Sequence, residues 1–127
     1  MANVKSFTST DELIAAYDEC VKTGDFFIVY LTGGVKDGKS WCPDCDVARP
    51  AIDAHVLQKT SLTVLKGVVD DRNSWVGVAT HPYKVHPIIK AGGVPSLCLL
   101  QGEQVLVRVD DLAVFENEEM LASIAEP

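Results

Sequence analysis

Cys42-Pro43-Asp44-Cys45 puts two thiols three residues apart. At the start of a helix, that spacing sets both sulfurs on one turn, near enough to form and break a disulfide. The unpaired backbone N–H groups and positive dipole end of such a helix favour a thiolate over a thiol. Pro43 suits the first helical position, where a missing N–H costs nothing. The chemistry on offer is thiol–disulfide exchange. Cys42, the outermost sulfur, is the expected nucleophile, and Cys45, inside the helix, the expected resolving thiol. A Cys42 thiolate attacks a substrate disulfide to give a mixed disulfide, and Cys45 then displaces the reduced product.

Asp44 limits that reactivity. A carboxylate beside Cys42 opposes its ionisation and works against the helix terminus. A less stabilised thiolate moves the couple toward the reducing side. The expected potential is nearer the roughly −270 mV of a dithiol reductant than the about −120 mV of a strong periplasmic oxidase. Asp44 could instead relay a proton for Cys45, and the sequence leaves both roles open.

Other chemistries compete for the same residues. A C-x-x-C pair is also half of a zinc site, but tetrahedral zinc needs two more ligands. Cys20, Cys98, His55, His81 and His86 remain, in no paired spacing, so no metal is expected. Gly33-Gly34-Val35-Lys36-Asp37-Gly38-Lys39-Ser40 matches G-x-x-x-x-G-K-[ST] letter for letter, between a strand and a helix. Val68-Val69-Asp70 even imitates the acidic strand end that holds Mg²⁺ in such proteins. A phosphate-binding loop, however, runs straight into its helix at the Lys-Ser step. Here Trp41 and Pro43 move the helix start onto the cysteines, and one helix N-terminus cannot serve both sites. Lys39 either lends positive charge to Cys42 or solvates the loop. Trp41 is expected as an exposed ring on the contact surface. Cys20 and Cys98 read as core cysteines. Trp75 and Tyr83 read as loop packing, His81 and His86 as satisfied loop histidines, and Glu116, Glu118 and Glu119 as a solvated helix face.

The elements that must position the dithiol follow from periodicity. Residues 4–7 are extended. Ser9 with Glu12 has the form of a capping box, Leu13, Ile14, Tyr17, Cys20 and Val21 recur at helical spacing, and Gly24 closes the helix. The apolar run 26–31 reads as a strand covered on both faces, and 33–40 as a polar loop. A second helix runs from the dithiol to about Lys59, kinked at Pro50, with Val47, Ala51, Ala54 and Val56 or Leu57 inward. Strands at 62–69, 95–100 and 105–109 and a terminal helix at 116–125 follow. The stretch 70–93 is irregular, with one short helix near its end. This order predicts an α/β fold, a central mixed β-sheet flanked by helices on both faces.

Residues 1–127 are expected to form one domain. A hydrophobic content of 47% excludes disorder over most of the length. Eleven Lys and Arg against eighteen Asp and Glu give a net charge of −7, which repels phosphate backbones and anionic lipid. No nucleic-acid or membrane partner is expected. No apolar run approaches the roughly 18 residues of a membrane span, and residues 1–10 lack the pattern of a secretory signal. A cytoplasmic, reducing location is therefore expected, where four cysteines serve as chemistry and core filling rather than a disulfide framework.

A strand, Trp41-Cys42-Pro43-Asp44-Cys45, a helix with Pro50 eight residues after the first cysteine, and Val94-Pro95 before a later strand together resemble the thioredoxin fold. Within it, Gly38-Lys39-Ser40-Trp41-Cys42-Pro43-Asp44-Cys45 resembles the small Clot-type thioredoxin-related proteins, the thioredoxin domain-containing protein 17 family. The likeness spans nearly the whole chain. It implies a cytosolic disulfide reductase that binds no cofactor and takes electrons from NADPH through thioredoxin reductase. Its substrates would be selected disulfide-containing proteins or cystine. It also implies a cis Val94-Pro95 peptide beside the dithiol, leaving backbone free to pair with a substrate strand. Two positions depart from thioredoxins. Tyr30 stands where they usually bury an Asp, and Val109-Asp110 lies where a glycine is common. A monomer is expected. A glutaredoxin-like, glutathione-dependent reductase and a binding module whose dithiol only switches partner affinity are the alternatives.

Overall fold

The apolar run Phe26-Phe27-Ile28-Val29-Tyr30-Leu31 becomes the centre of the molecule. The computed structural model describes residues 3–127; residues 1 and 2 of the expected 1–127 domain lie outside the described residues. The strands are β1 (Asn3–Phe7), β2 (Phe26–Gly33), β3 (Val35–Lys36), β4 (Lys39–Ser40), β5 (Thr63–Val69), β6 (Ser96–Gln101) and β7 (Gln104–Val109). The helices are α1 (Thr10–Thr23), α2 (Pro43–Ile52), α3 (Arg72–Trp75), α4 (Pro82–Val85) and α5 (Glu118–Ala125). The main sheet has the order β1-β5-β2-β6-β7. β1, β5 and β2 are mutually parallel, and β6 and β7 run antiparallel.

Side-chain alternation along β2 builds two cores. Phe27, Val29 and Leu31 pack with Leu13 and Tyr17 of α1, Leu65, Trp75 and Tyr83. Ile28 and Tyr30 pack on the other face with Ala48 and Ile52 of α2, Val56, Phe115, Leu121 and Ile124. Helices therefore cover both faces of a mixed sheet, as the element order predicts. Trp75 and Tyr83, expected as loop packing, belong to the first core itself.

α1 begins where Ser9 Oγ accepts from the Glu12 N–H at 3.3 Å and ends at Gly24 with φ +75°. Other expectations need correction. The polar loop 33–40 is a hairpin, β3 pairing with β4 through Asp37 and Gly38 at φ +54° and +81°. Asp-Gly is a strong signal for that turn, because both central residues need positive φ. The second helix stays α-helical through Pro50 to Ile52, then widens into a π-helical turn, Asp53–Leu57. Its inward face is Cys45, Ala48, Ile52 and Val56. Val47, expected inward, is 60% exposed, because it lies two residues and about 200° around the helix from Cys45.

The irregular stretch holds two short helices instead of one. Asp71 Oδ1 caps α3 through the Asn73 N–H at 2.9 Å, and His81 Nδ1 caps α4 through the Tyr83 N–H at 3.1 Å. The terminal helix starts later than expected. Val114–Glu116 form a 3₁₀ turn, and Asn117 Oδ1 caps α5 through the Met120 N–H at 3.1 Å. The accessible surface, 6693 Å², matches the roughly 6,600 Å² expected of a folded chain of this mass.

Candidate active site

β2, the central strand, ends at Gly33, and the β3–β4 hairpin returns the chain to the start of α2. A side chain at Gly33 would not fit. A Cβ there would stand 2.7 Å from Ser40 Oγ and 2.9 Å from Cys42 Cβ. The hairpin is tied down at its Ser40 end. The Ser40 N–H donates to both carboxylate oxygens of Asp46, at 3.1 and 3.2 Å, and Arg49 pairs with the same carboxylate at 2.8 Å. Ser40 Oγ accepts from the Cys42 N–H at 3.1 Å.

Cys42 is the N-cap of α2, with extended backbone at φ −105° and ψ 102°. Its Sγ accepts the Cys45 N–H at 3.2 Å, the contact expected of a sulfur at a helix mouth. The same Sγ donates to the Val94 carbonyl at 3.5 Å. Cys45 is fully buried, and its Sγ accepts from the Gly33 N–H at 3.3 Å. Both cysteines are free thiols. The Val94-Pro95 peptide is cis, as the resemblance implies, and its Val94 carbonyl meets the Cys42 sulfur.

The electrostatics correct one expectation. Cys42 is not an exposed, readily ionised sulfur: only 6% of the residue is accessible. Burial pushes its thiol up to about 12, reinforced by the hydrogen bond with the Cys45 side chain and, more weakly, by Cys45 and Asp44 charge. The Cys45 N–H opposes this shift, but desolvation wins. Asp44 thus has the expected sign.

Trp41 is corrected too. Its ring is half-buried against the first core, and its Nε1–H donates to the Val69 carbonyl at 2.6 Å. Lys39 is exposed, and its charge acts on Asp46. Arg49 first, then the Ser40 N–H and more weakly Lys39, hold the Asp46 carboxyl below the usual carboxylate range. Gly34, Val35, Lys36, Lys39, Trp41 and Asp70 line a cleft of about 340 Å³ that contains neither cysteine. A larger cavity of about 530 Å³, around Thr8, Asp70, Ser74 and His81, does not reach them either. The hairpin geometry leaves no phosphate cradle at 33–40, since the Gly34 and Ser40 N–H groups already bond Val69 and Asp46. Tyr30 is buried in the second core, and burial first of all raises its phenol above the ordinary value, so it offers no base at neutral pH.

Sequence reasoning missed Ser40, Asp46 and Arg49. An acidic residue in the first turn of α2 was a visible signal, but its partner Ser40 lies across a turn that only the fold brings close. Among the described residues no group of three or more His, Cys, Asp or Glu could hold a metal ion. No described helix is long and apolar enough to cross a membrane.

A mixed sheet with a cysteine pair at the mouth of a helix, facing a cis-proline segment, defines a thioredoxin-fold dithiol protein. Solved structures agree on the fold. Thioredoxin NaTrxh from Nicotiana alata superposes with a TM-score of 0.63 at 18% identity, covering 98% of this chain and 95% of its own. Residues 3–124 match the thioredoxin domain of the thioredoxin domain-containing protein 17-like family, and the chain belongs to that family. It is similar to the thioredoxin-like protein Clot of Arabidopsis thaliana, 32% identical over 74% of this chain and 71% of that one. The Clot protein of Oryza sativa subsp. japonica is 27% identical over 80% of this chain and 76% of its own.

Proposed function

We propose that the protein is a disulfide reductase in which Cys42 attacks and Cys45 resolves. The observation that carries this is the Cys45 N–H aimed at Cys42 Sγ from 3.2 Å, which favours negative charge on that sulfur once its proton is gone. In the free chain the proton stays, chiefly because the sulfur is buried, and Sγ–H points to the Val94 carbonyl. An extended substrate that pairs with the Val94 backbone takes that acceptor away. Sγ is then left with the Cys45 N–H and the substrate disulfide before it. The thiolate attacks one substrate sulfur, forming the mixed disulfide and expelling the other as thiolate. Cys45, deprotonated, attacks Cys42 Sγ, forms the intramolecular disulfide and releases the second substrate sulfur. Two electrons pass to the substrate, and the two thiol protons end on its sulfurs. With Tyr30 in place of a buried carboxylate, Asp44, water or the substrate must accept the Cys45 proton in transit.

Reducing power comes from NADPH through thioredoxin reductase, with no cofactor held by the chain. Substrates are selected disulfide-containing proteins or cystine, met by a monomer in the cytoplasm. The family and the dithiol geometry support this reading. The test is NADPH oxidation by thioredoxin reductase with cystine or a disulfide-bonded peptide as acceptor. Turnover that needs this protein and both cysteines is expected. Turnover driven by glutathione reductase and glutathione instead favours the glutaredoxin-like alternative. No turnover with either, with partner binding that changes on oxidation, favours the binding module.

A further inference from the structure

The Val94 carbonyl that meets Cys42 ends a loop whose backbone is held from two sides by residues the exchange chemistry does not use. On the amide side, His86 Nδ1 accepts from the N–H groups of Ile88 at 3.2 Å and Ile89 at 3.0 Å. Its ring stands edge-on to Tyr17 of α1, with 4.9 Å between centroids. On the carbonyl side, Arg108 of β7 spreads its guanidinium over three successive carbonyls. One nitrogen donates to Ile89 at 2.5 Å and Lys90 at 3.4 Å, and the other to Ile88 at 2.9 Å. A planar fork can satisfy several acceptors at once; an ammonium cannot match that geometry.

The clamp sits where the loop most needs one. Lys90 turns through φ +41°, a conformation side-chain-bearing residues seldom adopt. Ala91 then donates to the Tyr83 carbonyl at 2.9 Å and is buried. Only Gly92 and Gly93 separate this fixed point from Val94, so the slack reaching Cys42 is short.

We propose that Arg108 and His86 are positioning residues that hold the Val94–Pro95 segment against Cys42. They touch neither sulfur. They fix the carbonyl that covers Cys42 Sγ in the free chain and, in the proposed reaction, the backbone on which substrate is laid. Releasing the loop has two consequences. The Val94 carbonyl moves off Sγ and water reaches the sulfur, so the burial that holds its thiol up is relieved. Substrate meets a displaced platform, and misplacement of about 1 Å costs on the order of 100-fold in such reactions.

Arg108→Met keeps the stem and removes the fork. His86→Ala removes the acceptor, whereas His86→Asn restores a side-chain oxygen that can accept from a nearby backbone N–H. The first readout is the pH profile of Cys42 alkylation by iodoacetamide, followed by mass spectrometry of the Cys42 peptide in each full-length reduced protein. Cys45 and Asp44, the groups that act on the Cys42 charge, are unchanged in every variant. The second is kcat and KM for disulfide reduction. In Arg108→Met and His86→Ala the alkylation profile is expected to move to lower pH. KM should rise by about 10- to 100-fold with kcat less affected, and His86→Asn should stay near wild type. Folded variants with the wild-type alkylation profile and wild-type KM overturn the proposal. If Arg108→Met does not fold, Arg108→Lys and the His86 pair decide in its place. The turnover readout rests on the proposed reductase activity, but the alkylation profile does not. A wild-type protein that reduces no disulfide would sink that activity and leave the positioning claim to be judged on alkylation alone.

Discussion

The backbone of Gly33 touches the site at two sulfurs' depth: its N–H donates to Cys45 Sγ at 3.3 Å, and its α-carbon faces Cys42 with no room for a methyl group. The last residue of β2 thereby sets the height of the dithiol above the sheet. Gly33→Ala would drive a methyl into Ser40 Oγ, Cys42 Cβ and the Trp41 ring, of which Cys42 Cβ is too near the backbone to swing aside. A loss of about 1–3 kcal/mol is expected from overpacking of this kind, with a matching fall in disulfide reduction. Urea unfolding monitored by tryptophan fluorescence measures the first, and an unchanged midpoint would contradict the account.

The Cys42 thiol, raised to about 12 by burial, also ties stability to pH. A group whose folded-state pKa lies above its unfolded value holds its proton more tightly when folded. Its contribution is complete below the unfolded value, about 9, and is lost as pH climbs toward about 12. Wild-type stability should therefore fall through that alkaline window more steeply than that of Cys42→Ser, which has no proton to lose there. Parallel curves for the two proteins would show that the thiol is not held up by burial.

Asp46 works in the opposite sense. Its carboxyl lies below the usual range, so its hold on the hairpin persists above the ordinary carboxylate value and weakens only as pH drops through the lowered one. Asp46→Ala frees the Ser40 N–H and Arg49 together. A fall of about tenfold in kcat/KM is expected from the loosened Cys42, with little change in circular dichroism. Equal turnover in the two proteins would mean that the clamp does not set the sulfur's position.

The couple should be reducing. Burial and Asp44 both disfavour the Cys42 thiolate, and a destabilised thiolate destabilises the reduced form. A potential near roughly −270 mV is expected, measured by equilibration with a glutathione or dithiothreitol buffer; a value above about −180 mV is incompatible with that account.

Local features were legible in the sequence. The dithiol, the capped ends of α1, the buried strand β2 and the helices on both faces all follow from neighbours along the chain. The hairpin at 33–40 carries its Asp37-Gly38 signal too, but the same stretch has the glycines and letters of a phosphate loop, which suit an open loop equally well. What failed depends on contacts between distant segments. Cys42 looks exposed when only Trp41 to Cys45 is considered, and it is covered because Val94, 52 residues away, brings its carbonyl to the sulfur. Helical spacing alone leaves the inward face of α2 open, and the buried Cys45 fixes it with Val47 outside. Arg108 reads as an ordinary strand cation until the loop carbonyls of Ile88, Ile89 and Lys90 lie beside it.

Division of labour between the two sulfurs is tested most directly by Cys45→Ser. With its resolving thiol gone, that variant, offered a disulfide-bonded peptide, is expected to stop at a stable adduct found by intact mass, with the new bond mapped to Cys42. Cys42→Ser should form none. An adduct on Cys20 or Cys98, or equal adducts in both variants, would contradict the assignment of Cys42 as the attacking sulfur.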